Sequence, residues 1–111
     1  MSVNQIIEKA LTGVVKHIWP MSCPKEVKPD EYIVYNPELE EPGVYADDED
    51  LEWIQHMQIH LFTKGNYVKM RKDIRKKLRD AGFTITGIYT TYEKDSKYNH
   101  LCFECSIEEE E

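Results

Sequence analysis

The sequence predicts an α+β fold in two layers, with two helices packed on one face of a mostly antiparallel four-stranded sheet. Three observations carry this. Two segments repeat apolar residues at three- and four-residue steps, several others alternate every second residue, and the element order is α-β-β-α-β-β. The chain has 111 residues and a mass of 13.1 kDa, with 41% hydrophobic and 32% charged residues. At that size about two-thirds of the unfolded-chain surface can be buried, enough for one core and not for two. A single domain over residues 1–111 is therefore expected.

The first helix opens at Ser2 and Gln5, which have capping-box spacing: hydroxyl and amide can each satisfy a backbone donor of the first turn. Ile6, Ile7, Ala10, Leu11, Val14, Val15 and Ile18 form its apolar stripe. Pro20 disfavours helical backbone at Trp19 and predicts an end near Ile18. Pro20, Pro24 and Pro29 mark the next stretch as an extended connector. Tyr32-Ile33-Val34-Tyr35 reads as the first strand, aromatic and β-branched between Asp30 and Asn36-Pro37. An acidic loop over about 37–51 is expected next, with Pro42-Gly43 as a turn signal inside it.

The second strand, from about Glu52 to Phe62, alternates Trp53, Gln55, Met57, Ile59 and Leu61 with Ile54, His56, Gln58, His60 and Phe62. Gly65-Asn66 breaks it and opens the second helix. There Tyr67, Met70, Ile74, Leu78 and Ala81 form one narrow stripe, and Gly82 suits the terminating position. A hairpin closes the chain. One arm, Thr84 to Glu93, places Ile85, Tyr89 and Thr91 opposite Thr86, Ile88, Thr90 and Tyr92. Lys94-Asp95-Ser96-Lys97 turns. The return arm, Tyr98 to Ile107, puts Leu101, Phe103, Cys105 and Ile107 on the covered side, with His100, Cys102, Glu104 and Ser106 opposite. The acidic tail, 108–111, is expected to fray.

Composition excludes several classes. Fourteen Lys+Arg against twenty-one Asp+Glu give a net charge of −7, the wrong sign for a protein dedicated to wrapping duplex nucleic acid. No apolar run approaches the ~20 residues of a membrane span. The start, Met1-Ser2-Val3-Asn4-Gln5, lacks the basic-then-apolar layout of a signal peptide. Three cysteines fit free thiols in a reducing compartment better than a disulfide framework.

Candidate chemistry is thin. Cys102-Phe103-Glu104-Cys105 is a formal CxxC, but inside an alternating strand its cysteines point to opposite faces at roughly 10 Å. A disulfide needs Cα atoms within about 7 Å. His56 and His60 share a face at roughly 13 Å along the strand, too far for one zinc ion. His60, His100 and Cys102 could meet only through strand pairing, and no second CxxC or HExxH accompanies them. Asp47-Asp48-Glu49-Asp50 lacks the spaced ligands and central glycine of a calcium loop. No GxSxG, phosphate loop or Ser/His/Asp set is present. No catalytic, cofactor-binding or metal site is therefore expected, and no enzyme.

Charge is distributed unevenly. Eleven of the acids lie between Glu26 and Glu52, whereas Lys64, Lys69, Arg71, Lys72, Arg75, Lys76, Lys77 and Arg79 crowd the second helix. Opposite fields on one small body favour head-to-tail association of identical copies. Arg71, Arg75 and Arg79 are the basic interface candidates, and Asp47, Asp48 and Asp50 the acidic ones. Trp53, Tyr45 and Phe62 are candidates for apolar anchors.

Taken together, several segments resemble a known family. They are Tyr32-Ile33-Val34-Tyr35-Asn36, then Tyr45-Ala46-Asp47-Asp48-Glu49 running into Gln58-Ile59-His60-Leu61-Phe62-Thr63-Lys64-Gly65-Asn66-Tyr67. Leu78 with Ala81-Gly82-Phe83, Tyr92-Glu93-Lys94-Asp95 and Tyr98-Asn99-His100 continue the match. The chain resembles small prophage proteins of Gram-positive bacteria, similar to the tail terminators and head–tail joining proteins of long-tailed phages. The resemblance implies an α+β subunit without cofactor or active site. It also implies a homo-oligomeric ring, typically a hexamer, that caps the tail tube and meets the head connector proteins. Its place would be the virion neck, assembled in the bacterial host cytoplasm, with DNA contact only in the assembled channel and no membrane contact. The alternative expectation is a small nucleic-acid-binding prophage protein using the basic helix 64–79.

Overall fold

The computed structural model describes residues 1–27, 29–43 and 52–110. Its elements are α1 (Val3–Leu11), β1 (Ile18–Pro20), β2 (Glu31–Pro42), β3 (Glu52–Thr63), α2 (Tyr67–Asp80), β4 (Thr84–Tyr92) and β5 (Asn99–Glu110). The strands form one mixed sheet in the order β1-β2-β3-β5-β4. β1 runs parallel to β2, and every other pairing is antiparallel. The α+β class and the two-helix count stand; the sheet has five strands where four were expected.

The additional strand comes from the segment read as helix end and connector. α1 stops at Leu11, with Thr12 as its cap, and the chain tightens through a Val14 N–H bond to the Leu11 carbonyl. Thr12, Gly13 and two β-branched valines are poor helix formers, Gly13 alone costing about 1 kcal/mol against alanine. Val15 remains buried all the same, because the turn carries it into the core. Ile18-Trp19-Pro20 then pairs with Ile33-Val34-Tyr35.

β2 also exceeds expectation. It passes through Pro37 and continues to Pro42, with a register shift between Pro37 and Leu39. Proline lacks a ladder donor, so it is tolerated at an edge or a bulge, and here it has both. The first part of the expected acidic loop is therefore strand. Likewise the acidic tail does not fray at 108–110: Glu108, Glu109 and Glu110 pair with Ile54, Trp53 and Glu52.

Both helices lie on one sheet face. Ile7 and Leu11 of α1 meet Ile74 and Leu78 of α2 above Ile33, Tyr35, Ile59, Leu61, Leu101 and Phe103, all at most 1% exposed. The Tyr35 hydroxyl donates to Glu8 at 2.9 Å, tying α1 to the sheet. β4 corrects one face assignment. A bulge between Ile85 and Gly87 resets the alternation, so Ile85 and Ile88 both pack toward the core. A glycine inside a strand is a usual mark of such a bulge.

The molecule is 51 Å long and about half as wide, at 26 × 24 Å. Length comes from β2, β3 and β5. β1 covers only Ile33–Tyr35, and β4 pairs only with Asn99–Ser106, so residues 40–42, 52–55 and 107–110 continue as a three-stranded arm.

Candidate functional site

α2 forms because Asn66 caps it, its side chain accepting from the Val68 N–H at 2.9 Å, and because one stripe buries Ile74 and Leu78. It ends at Gly82, whose φ of +103° is open to glycine. There the Phe83 N–H bonds to the Leu78 carbonyl and the Gly82 N–H to that of Arg79, a Schellman closure with Phe83 buried beside Leu78. With the stripe spent on the core, the basic side chains face outward. Arg75 and Arg79 are exposed, while Arg71 is half-buried with its guanidinium 5.8 Å from the Tyr67 ring centre. Lys64 stands 5.0 Å from the Tyr98 ring centre. Among the described residues, the ion pair made by these cations is Lys69 with Asp73 at 3.4 Å, inside the helix.

The acidic counterpart is the arm. Glu40, Glu41, Glu52, Glu108 and Glu109 lie on it with Glu38 just before it, and neither residues 29–63 nor 98–111 contain a lysine or arginine. No described ion pair joins this arm to α2. The two charge regions therefore do not neutralise each other through contacts among the described residues. Tyr45, Asp47, Asp48 and Asp50 lie outside those residues. Trp53 is half-buried in β3, paired across to Pro42 and Glu109.

Phe62 belongs to a third surface, the sheet face away from the helices. Its ring stacks on Tyr32 at 4.7 Å and on His100 at 4.3 Å, and meets Tyr98 edge-on at 6.1 Å. Trp19 extends this group from β1, 5.8 Å from Tyr32. Tyr98, also buried, donates its hydroxyl to the Pro29 carbonyl at 2.5 Å. Phe62 is thus already packed within its own chain rather than standing free as an anchor.

Beside the aromatic group, polar side chains from three strands form a directed chain of hydrogen bonds. His60 Nε2 lies 3.0 Å from Asn36 Oδ1, an atom that can only accept, so that nitrogen carries the proton. His60 Nδ1 is then the acceptor for His100 Nε2 at 2.9 Å. The Asn36 amide donates to Gln58 Oε1 at 3.2 Å, and Gln58 in turn donates to Glu38 at 2.7 Å and Glu104 at 3.4 Å. The His60 pKa is lowered, chiefly by burial and then by His100, with Glu104 opposing. Burial also lowers that of His100 against the pull of Glu93, 3.9 Å away. Both rings are neutral in this arrangement. Alternation places these residues on one face, but it cannot reveal the network, whose links all cross between strands.

Among the described residues, the geometry gives neither a metal-ligand set nor a reactive thiol pair. His56 is engaged with Glu41 at 2.6 Å, and both nitrogens of His60 are occupied. Among the described residues, no group of three His, Cys, Asp or Glu side chains could hold a metal ion. Cys105 is buried in the core and Cys102 is on the opposite face. Burial pushes their thiols up to about 12 and about 11, the reverse of what a reactive thiolate requires. No helix among the described residues is long and apolar enough to cross a membrane.

No protein-family model matches the chain, and no curated protein matches it by sequence. The fold does match a solved one: a chain in the structure of the virion of a native gene transfer agent (GTA) particle. The two are 10% identical, the match covers 99% of this chain and 96% of that one, and the TM-score is 0.66. At that identity the likeness is one of fold, and it extends over almost the whole of both chains.

Proposed function

We propose that this chain is a structural protein of a phage-type virion, a tail-terminator-like subunit of the neck. Copies associate head to tail into a ring, six-fold as the resemblance implies, which ends growth of the tail tube and joins the tail to the head. Its partners are then further copies of itself, the tail-tube protein and the head connector proteins. The observation that carries this reading is the near-complete fold match to a chain of a virion. Separation of a basic helix from an acidic arm supports it, since complementary fields set the register and rate of encounter between like copies. The protein works without catalysis or cofactor on this reading.

The test is genetic and visual. Particles lacking this one protein should carry overlong tails when viewed by electron microscopy. Tails of normal length beside unattached heads would move it one layer up, to joining. Normal particles would reject the neck role altogether.

A second reading uses the same helix on nucleic acid, favoured by the exposed Arg75 and Arg79 with Arg71 one turn before them. Phosphate neutralisation releases counterions, so a gel shift should weaken steeply between low and high salt. Absence of any shift at low salt removes this reading.

A further inference from the structure

We infer, on the ring reading above, that the groove between α1 and α2 receives the acidic edge of β2 from a second copy of this chain, with Leu39 as the apolar anchor. The groove encloses about 450 Å³. Met1, Ile6, Ala10 and Ala81 give it apolar walls, Lys9 and Lys77 stand over it, and Asp80 contributes one opposing charge. Ile6, Ala10 and Ala81 pack on the core yet stay only half-buried, so folding leaves part of their apolar surface open. Neither Lys9 nor Lys77 makes an ion pair among the described residues.

The β2 edge has the complementary chemistry. Beyond Tyr35, β1 no longer covers the strand, so among the described residues no strand pairs with 37–42 on that side and its edge is open. An open edge invites pairing with another chain, and charged side chains usually restrain it. Here Glu38, Glu40 and Glu41 supply the charge, but between them stands Leu39, 52% exposed. One apolar side chain among carboxylates matches apolar walls beneath two ammonium groups. The apolar contact would supply tightness, and the charges direction and rate.

Within one copy the edge and the groove line different pockets, which adjoin at the first turn of α1. Pro37 and Glu40 border a different pocket, beside Ser2, Val3 and Asn4. Joining edge to groove between copies is therefore a head-to-tail contact, which closes into a ring when the rotation allows.

Sedimentation velocity of the full chain over rising concentration tests this, with tail-tube protein added if the chain alone stays monomeric. Leu39→Asp should weaken association tenfold or more while circular dichroism stays unchanged, because Leu39 is outside the core. Lys9→Glu with Lys77→Glu should weaken it too, and adding Glu40→Lys with Glu41→Lys should restore it. Mixing Leu39→Cys copies with Ala10→Cys copies should give a disulfide-linked dimer that neither gives alone. Association that all these variants leave intact overturns the assignment of surfaces and spares the ring. A chain that never associates, alone or with tail-tube protein, overturns the ring and this contact together.

Discussion

At the scale of single residues, the core and the two neutral histidines govern what can be changed. Phe103 is fully buried between helices and sheet. Phe103→Ala should cost about 3–5 kcal/mol, read as a lower midpoint in urea unfolding. His60 and His100 make stability depend on pH. Both titrate below the 6.5 of a free histidine in the folded state, so below that pH the unfolded chain binds more protons. Their contribution is complete above about 6.5 and is lost as pH falls through the folded values. A second proton on His60 also removes the acceptor that His100 needs. Stability of the native chain should therefore drop on acidification below about 6.5, and a His60→Gln, His100→Gln variant should show a flatter profile. Equal slopes in the two proteins would contradict the assignment of neutral rings.

At the scale of elements, α2 has two separable faces. Its inward stripe and Schellman end hold the fold, and its exposed cations, Arg75 and Arg79 among them, face away from it. Gly82→Ala forces a side chain into left-handed backbone and should destabilise by about 1–2 kcal/mol, seen as a lower Tm. Charge reversal at the exposed Arg75 and Arg79 should do the opposite: leave circular dichroism and Tm nearly unchanged and weaken association. Unchanged association would make the basic face a solvated surface. α2 was legible in advance because cap, stripe and terminating glycine are all local signals. β3 was legible for the same reason, its alternation persisting over the whole strand. β1 was not, since three residues ending in proline carry no periodic signal. They become a strand only by bonding to β2, through contacts such as the Ile33 N–H to the His17 carbonyl at 2.9 Å. The bulge in β4 did leave a mark, Gly87, which simple alternation passes over.

At the scale of the whole molecule, polarity runs between an arm without lysine or arginine and a helix crowded with them. If association uses these fields, its rate should fall as ionic strength rises and the Debye length shortens from about 10 Å at 0.1 M. Stopped-flow light scattering at several salt concentrations measures this. A rate independent of salt would assign assembly to apolar contact alone. Of the interface candidates, Arg75 and Arg79 are exposed and Arg71 is half-buried against Tyr67, whereas Phe62 is packed among its own aromatic neighbours. Leu39 falls inside the expected acidic loop, and only the extension of β2 places it on a strand edge.

The amino-acid sequence by itself determined the α+β class, both helix faces, the long central strands and the uneven distribution of charge, because each is written in neighbouring residues. Only the tertiary structure decided the fifth strand, the three-stranded arm, the side to which Ile88 turns and the bonded path from His100 to Glu38. Those depend on hydrogen bonds and contacts between segments far apart in the chain, which local pattern does not encode.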